Sequence, residues 1–170
     1  QIINILKYLG DESRKPHTGE HLLFEIMHYP FFEIHPHDIA AISAWISSKR
    51  DKNFTWRSVL SDSTVLSTIK LRSYPSIIKF EANITHWIAE TFNLTLQMLF
   101  EKVLNESGLL QYLLKADNRV FNLEVITTLF DHIKSEGLRL PRITIRQYMD
   151  TLEQMEMHGL KIEIQKSISK

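Results

Sequence analysis

Apolar residues recur three and four positions apart through most of this 170-residue chain, and only five glycines and five prolines interrupt them. That spacing returns a side chain to one side of an α-helix, whereas a strand would scatter such residues over both faces. The expected fold class is therefore all-α. The segments that carry the pattern predict an irregular multi-helix bundle of about eight helices with little or no strand. At this length one domain is expected, 1–170, with two lobes meeting near 53–75 as a variant of the same reading.

The first stripe, Ile2, Ile3, Ile5, Leu6 and Leu9, predicts a helix ending at Gly10, and Pro16 falls in a polar loop. Leu22, Leu23, Ile26 and Met27 predict a helix over 19–29, stopped by Pro30. His35-Pro36-His37-Asp38 opens the next, because proline suits the first helical position, where its missing N–H is no loss. Ile39, Ile42, Trp45 and Ile46 follow at helical spacing, and the polar run 49–57 reads as a loop around Asn53. Ile77, Ile84, Trp87, Ile88 and Phe92 mark a helix over 73–93. Thr95 caps one that carries Leu96, Leu99, Phe100, Val103 and Leu104 toward Gly108, and Leu109–Leu114 makes a short piece. Val120, Leu123, Ile126, Phe130 and Ile133 form a stripe closed by Gly137. Thr144 and Gln147 match a capping box, ahead of Tyr148, Leu152 and Met155. Lys161–Gln165 alternates polar and apolar residues and predicts a departing strand. All three tryptophans, Trp45, Trp56 and Trp87, are expected in the core.

Catalytic motifs are missing from the sequence. It contains no G-x-x-x-x-G-K-[ST], no G-x-G-x-x-G and no G-x-S-x-G, which argues against ATP hydrolysis by this chain. No catalytic, cofactor-binding or metal-binding residue is therefore assigned. His28, His35, His37 and Asp38 cluster in sequence, but without an H-E-x-x-H pattern they read as caps and surface imidazoles. Glu153 and Glu156 read as a solvated helix face. The chain has no cysteine, which excludes disulfides and thiolate zinc sites and fits a cytoplasmic protein. No apolar run approaches membrane-spanning length. Starting at Gln1, the chain reads as a piece of a longer protein.

Twenty basic and twenty acidic residues cancel, so an argument for nucleic acid has to rest on local patches. Between positions 49 and 79 stand Lys49, Arg50, Lys52, Arg57, Lys70, Arg72 and Lys79, opposed only by Asp51 and Asp62. Arg139, Arg142 and Arg146 form a smaller group. Of these, Lys49, Arg50, Lys52, Arg57, Lys70, Arg72, Arg139, Arg142 and Arg146 are the candidate contacts to a DNA backbone.

The order of segments resembles the 2B accessory subdomain of UvrD/Rep-type superfamily 1 DNA helicases. Ile2-Ile3-Asn4-Ile5-Leu6-Lys7-Tyr8-Leu9 is similar to the helix leading out of motor subdomain 2A in that family. Gly19 to Met27 looks like the next helix, Tyr29-Pro30 its stop, and Ile34 with Asp38–Ile42 the turn and helix beyond. Asp117 to Leu123 is similar to the start of a long 2B helix, Thr144 to Met149 to a later one, and Lys161–Ile164 to the return toward the motor. The resemblance implies an accessory domain that gates unwinding and contacts duplex DNA or partner subunits. On this reading the chain itself carries no cofactor, while the motor domains of the same protein bind ATP and Mg. Its partners would be those motor domains and, weakly, DNA; no membrane is implied. Many relatives carry Gly-Ile-Gly at a turn whose backbone approaches duplex phosphates. This chain has Glu33-Ile34-His35 there, and both replacements restrict φ. The alternative reading is a helical protein-interaction module unrelated to helicases.

Overall fold

The structure is a computed structural model that describes residues 1–49 and 53–164. Among these residues the protein is all-α, with ten α-helices and no strand. Among the described residues no helix is long and apolar enough to cross a membrane. The chain divides into two compact units, Gln1–Ala89 and Glu90–Lys170.

The first unit holds α1 (Ile2–Arg14), α2 (Glu20–Met27), a 3-10 turn (Pro30–Phe32), α3 (Pro36–Ser48), α4 (Trp56–Leu60), α5 (Ser63–Thr68) and nearly all of α6 (Tyr74–Glu90). Its core is the set of stripes read from the sequence: Ile5, Leu6 and Leu9 from α1, Leu23 and Ile26 from α2, Ile39 and Ile42 from α3, and Ile77 and Ile84 from α6 are at most 1% exposed. Burying each such side chain contributes roughly 1.5–3 kcal/mol over leaving it in water. Phe32 meets the edge of Phe80 at 4.8 Å and anchors the 3-10 turn. Of the three tryptophans only Trp87 is fully buried. Trp45 and Trp56 are half-buried and pack on Phe54 and Phe24 at 4.9 and 5.2 Å.

Helix α1 passes through Gly10 and ends at Arg14, so the expected stop there is corrected. A glycine inside a helix costs only about 1 kcal/mol. The extra turn buries Glu12, whose carboxylate accepts the His17 backbone N–H at 2.9 Å and holds the α1–α2 loop. Helices α4 and α5 lie where no helix was expected. Five and six residues are too few to show a periodic stripe or to persist alone. They form because Thr55 and Ser58 make a reciprocal capping box, Asp62 accepts the N–H groups of Thr64 and Val65, and Val59, Leu60 and Leu66 are buried. These two account for the difference between eight expected and ten observed helices.

The second unit holds α7 (Leu96–Glu106), α8 (Leu109–Lys115), α9 (Arg119–Arg139) and α10 (Ile145–Met157). Thr95 caps α7 through Met98 N–H, and Thr144 with Gln147 forms the expected box on α10. Gly108 turns the chain between α7 and α8 in the left-handed region at φ 84°. Phe100 stacks on Phe130, and the Tyr148 hydroxyl pairs with His132 Nδ1 at 2.9 Å. Helix α9 does not stop at Gly137. It runs to Arg139 and ends at Leu140, whose extended backbone is what the following Pro141 requires. Its stripe is also shallower than expected: Ile133 is buried, Leu123, Ile126 and Phe130 are half-buried and Val120 is exposed. At 21 residues α9 outruns the 11 of α7 and the 7 of α8, so its ends lack cover. The strand expected at 161–165 is absent over 161–164, and Gln165 lies outside the described residues. A lone strand has no partner for its backbone groups.

A Cβ at Gly137 would meet nothing within 4 Å. Gly137→Ala therefore stabilises the chain by roughly 0.5–1 kcal/mol by removing backbone freedom from the unfolded state. Thermal melting monitored by circular dichroism should show Tm rising by about 1–4 °C.

Candidate nucleic-acid interface

The start of α3 and the loop before α6 are tied together by one carboxylate. His35 is the N-cap of α3 and its Nδ1 accepts the His37 N–H at 3.1 Å. Pro36 takes the first helical position, which leaves Asp38 two residues further on, in the first turn, where its negative charge complements the helix dipole. Asp38 is fully buried. Its oxygens accept the Arg72 N–H at 2.9 Å and the Ser73 N–H and hydroxyl, both at 2.6 Å, with His37 Nδ1 at 3.4 Å. Ser73 Oγ also accepts the His35 N–H at 2.9 Å. Burial pushes the Asp38 carboxyl up, but the Ser73 hydroxyl, the two backbone N–H groups and His37 outweigh it and hold it below the usual carboxylate range.

This clamp brings the exposed His35, His37 and Arg72 onto one part of the first unit, with exposed Lys70 two residues before Arg72 in the same loop. Glu33 is exposed at the same turn. Its backbone lies at φ 56°, in the left-handed region that favours glycine.

The other candidate cations are dispersed. Lys49 is exposed at the far end of α3, roughly 17 Å along the helix from Asp38. Its ammonium stands 5.6 Å from the Trp45 ring centroid. Arg57 points into the first unit: it donates to Glu81 at 3.4 Å and to the Thr85 hydroxyl, and its side chain is 14% exposed. It braces α4 against α6. Arg50 and Lys52 lie outside the described residues. In the second unit Arg139 is paired with Glu136 at 2.5 Å and Arg146 with Asp150 at 3.9 Å. Arg142 makes no ion pair among the described residues and sits at φ 68°. Thus, among the described residues, Lys70 and Arg72 are two neighbouring candidates, two positions apart in sequence, that are both exposed beside the Asp38 clamp.

The sequence reading missed the role of Ser73, a serine in an unremarkable Arg72-Ser73-Tyr74 run. The readable sign was its future partner, an acid in the first turn of a proline-started helix. Among the described residues no group of three or more His, Asp or Glu side chains is placed to hold a metal ion. No protein-family model, no curated protein and no solved structure matches the chain.

Asp38 contributes stability that is fully present above the carboxylate pKa of the unfolded chain, about 4, and is lost as pH falls through its lower folded value. Asp38→Asn should destabilise by roughly 2–4 kcal/mol at neutral pH, since buried donors lose a charged acceptor. Urea melts of both proteins at pH 7 and near pH 3 check this: the gap between them should narrow in acid.

Proposed function

We propose that this chain is a 2B-type accessory domain of a UvrD/Rep-type DNA helicase, without ATPase activity of its own. The observation that carries the reading is the turn at Glu33. The resemblance places a family glycine there, and the backbone takes the left-handed conformation a glycine serves, although the residue is glutamate. The ordered succession of the helix at 2–14, the helix at 20–27, the Pro30 turn, the helix at 36–48 and the capped helix from Thr144 supports the same reading.

In such a protein the motor domains bind ATP and Mg and translocate on single-stranded DNA. The domain described here gates that motion and touches the duplex weakly. Lys70 and Arg72 are the phosphate contacts in this reading; Glu33 opposes the close backbone approach that glycines permit, so side-chain cations replace backbone N–H groups. Non-specific contact of this kind releases counterions and is steeply salt-dependent.

The test is fluorescence-anisotropy titration of the chain against a labelled duplex over a range of salt. Weak binding is expected, with a log–log slope of about −0.9 per phosphate neutralised. Lys70→Glu with Arg72→Glu should weaken binding and flatten the slope by roughly 1.8. Salt-insensitive binding, or binding that ignores the double substitution, would remove the duplex-contact role. The helicase assignment has a separate check in the parent gene: a P-loop upstream and a T-x-H-x-x-K-G motif downstream are expected, and a gene lacking both would overturn it.

A further inference from the structure

A groove crosses the second unit between the start of α7 and the loop joining α9 to α10. It consists of two hollows of about 280 and 370 Å³ that share Thr95, Leu96, Arg142 and Ile143. The floor is aliphatic: Leu96, Ile133 and Ile143 are 4%, 1% and 7% exposed. Apolar side chains also stand on the rim. Phe92 lines one hollow and is 73% exposed, and Leu138 lines the other and is 85% exposed. The charged residues that line the two hollows are Lys134 and Arg142, and among the described residues no Asp or Glu lines either. Arg142 has no carboxylate partner there, and the Lys134 ammonium rests 5.6 Å from the Phe130 ring centroid.

An aliphatic floor under a rim of one charge sign defines what can fill it. The floor is satisfied by aliphatic side chains that leave water. The rim is satisfied by carboxylates, which an arginine fork can grip in bidentate fashion. Nucleobases bind chiefly by stacking on aromatic faces, and among the described residues Phe92 alone offers one here. A basic segment would meet like charge. We propose that this groove docks a short acidic segment of a partner protein that carries aliphatic anchors. Leu138 and Phe92 flank the anchors, while Arg142 and Lys134 pair with acids beside them. The surface has this chemistry whether or not the chain belongs to a helicase, and it shares no residue with the Lys70–Arg72 patch.

The experiment selects a phage-displayed library of short random peptides on the immobilised 170-residue chain and measures the enriched peptides by anisotropy. Enrichment of acidic peptides with spaced Leu, Ile or Val is expected. Their affinity should fall about tenfold or more with Lys134→Glu plus Arg142→Glu, two exposed substitutions whose folding is checked by an unchanged Tm. If that variant does not fold, Leu138→Asp provides the same test at the rim. Enrichment of peptides without acidic residues, no enrichment, or affinity indifferent to these substitutions would overturn the proposal. A short oligo-dT that binds, competes with the peptides and is lost in the same variants would assign the groove to nucleic acid instead.

Discussion

Of the two buried carboxylates of the first unit, Asp38 makes the longest-range tie, whereas Glu12 holds only the adjoining α1–α2 loop. Asp38 lies in the first turn of α3 and satisfies two consecutive backbone N–H groups and a hydroxyl from a loop 34 and 35 residues away. Removing a charge from water is expensive unless its lone pairs are filled, and here they are filled from one short loop. The interaction therefore has one geometry. It ties the loop immediately ahead of α6 to the start of α3, and it holds the exposed Arg72 beside His35 and His37.

The second unit is held by other means. Its helices start at threonine caps, Thr95 and Thr144, and turn on Gly108, while Phe100, Phe130, Ile133 and Tyr148 supply the interior contacts. Among the described residues no equivalent buried charge clamps it. Helix α9 is longer than the helices beside it, and the uncovered length leaves apolar side chains in water. Arg142 tolerates a left-handed backbone, at a cost of about 1–2 kcal/mol, in a turn that places Ile143 and Ile145 in the interior. The same turn leaves its guanidinium beside an aliphatic groove. The local strain and the recognition chemistry thus sit on one residue.

Legibility in the sequence followed length and locality. The stripes of α1, α2, α3, α6 and α7 were readable because a run of eight or more residues samples two turns of a helix. Thr144 with Gln147, and His35-Pro36, were readable because caps are local chemistry. Helices α4 and α5 were not, because five and six residues are too short to show a stripe, and their local caps at Thr55 and Asp62 act together with the burial of Val59, Leu60 and Leu66, which the sequence does not display. Glycine misled twice: Gly10 and Gly137 lie inside helices, since a glycine ends a helix only when the next residues gain by leaving it. Among the candidate cations, charge count could not distinguish Arg57, braced by Glu81 and Thr85, from Arg72, whose side chain stays exposed.

The sequence alone therefore determined that the chain is helical, where most helices begin, and which faces of them are apolar, because backbone propensity, caps and periodicity act within a few residues. Tertiary structure alone decided that Asp38 is buried, that Arg72 stays exposed while Arg57 is tied to Glu81 and Thr85, and that Arg142 and Lys134 border an aliphatic groove. Those outcomes depend on which side chains meet across long stretches of chain, and burial and Coulomb interactions act through space without regard to sequence distance.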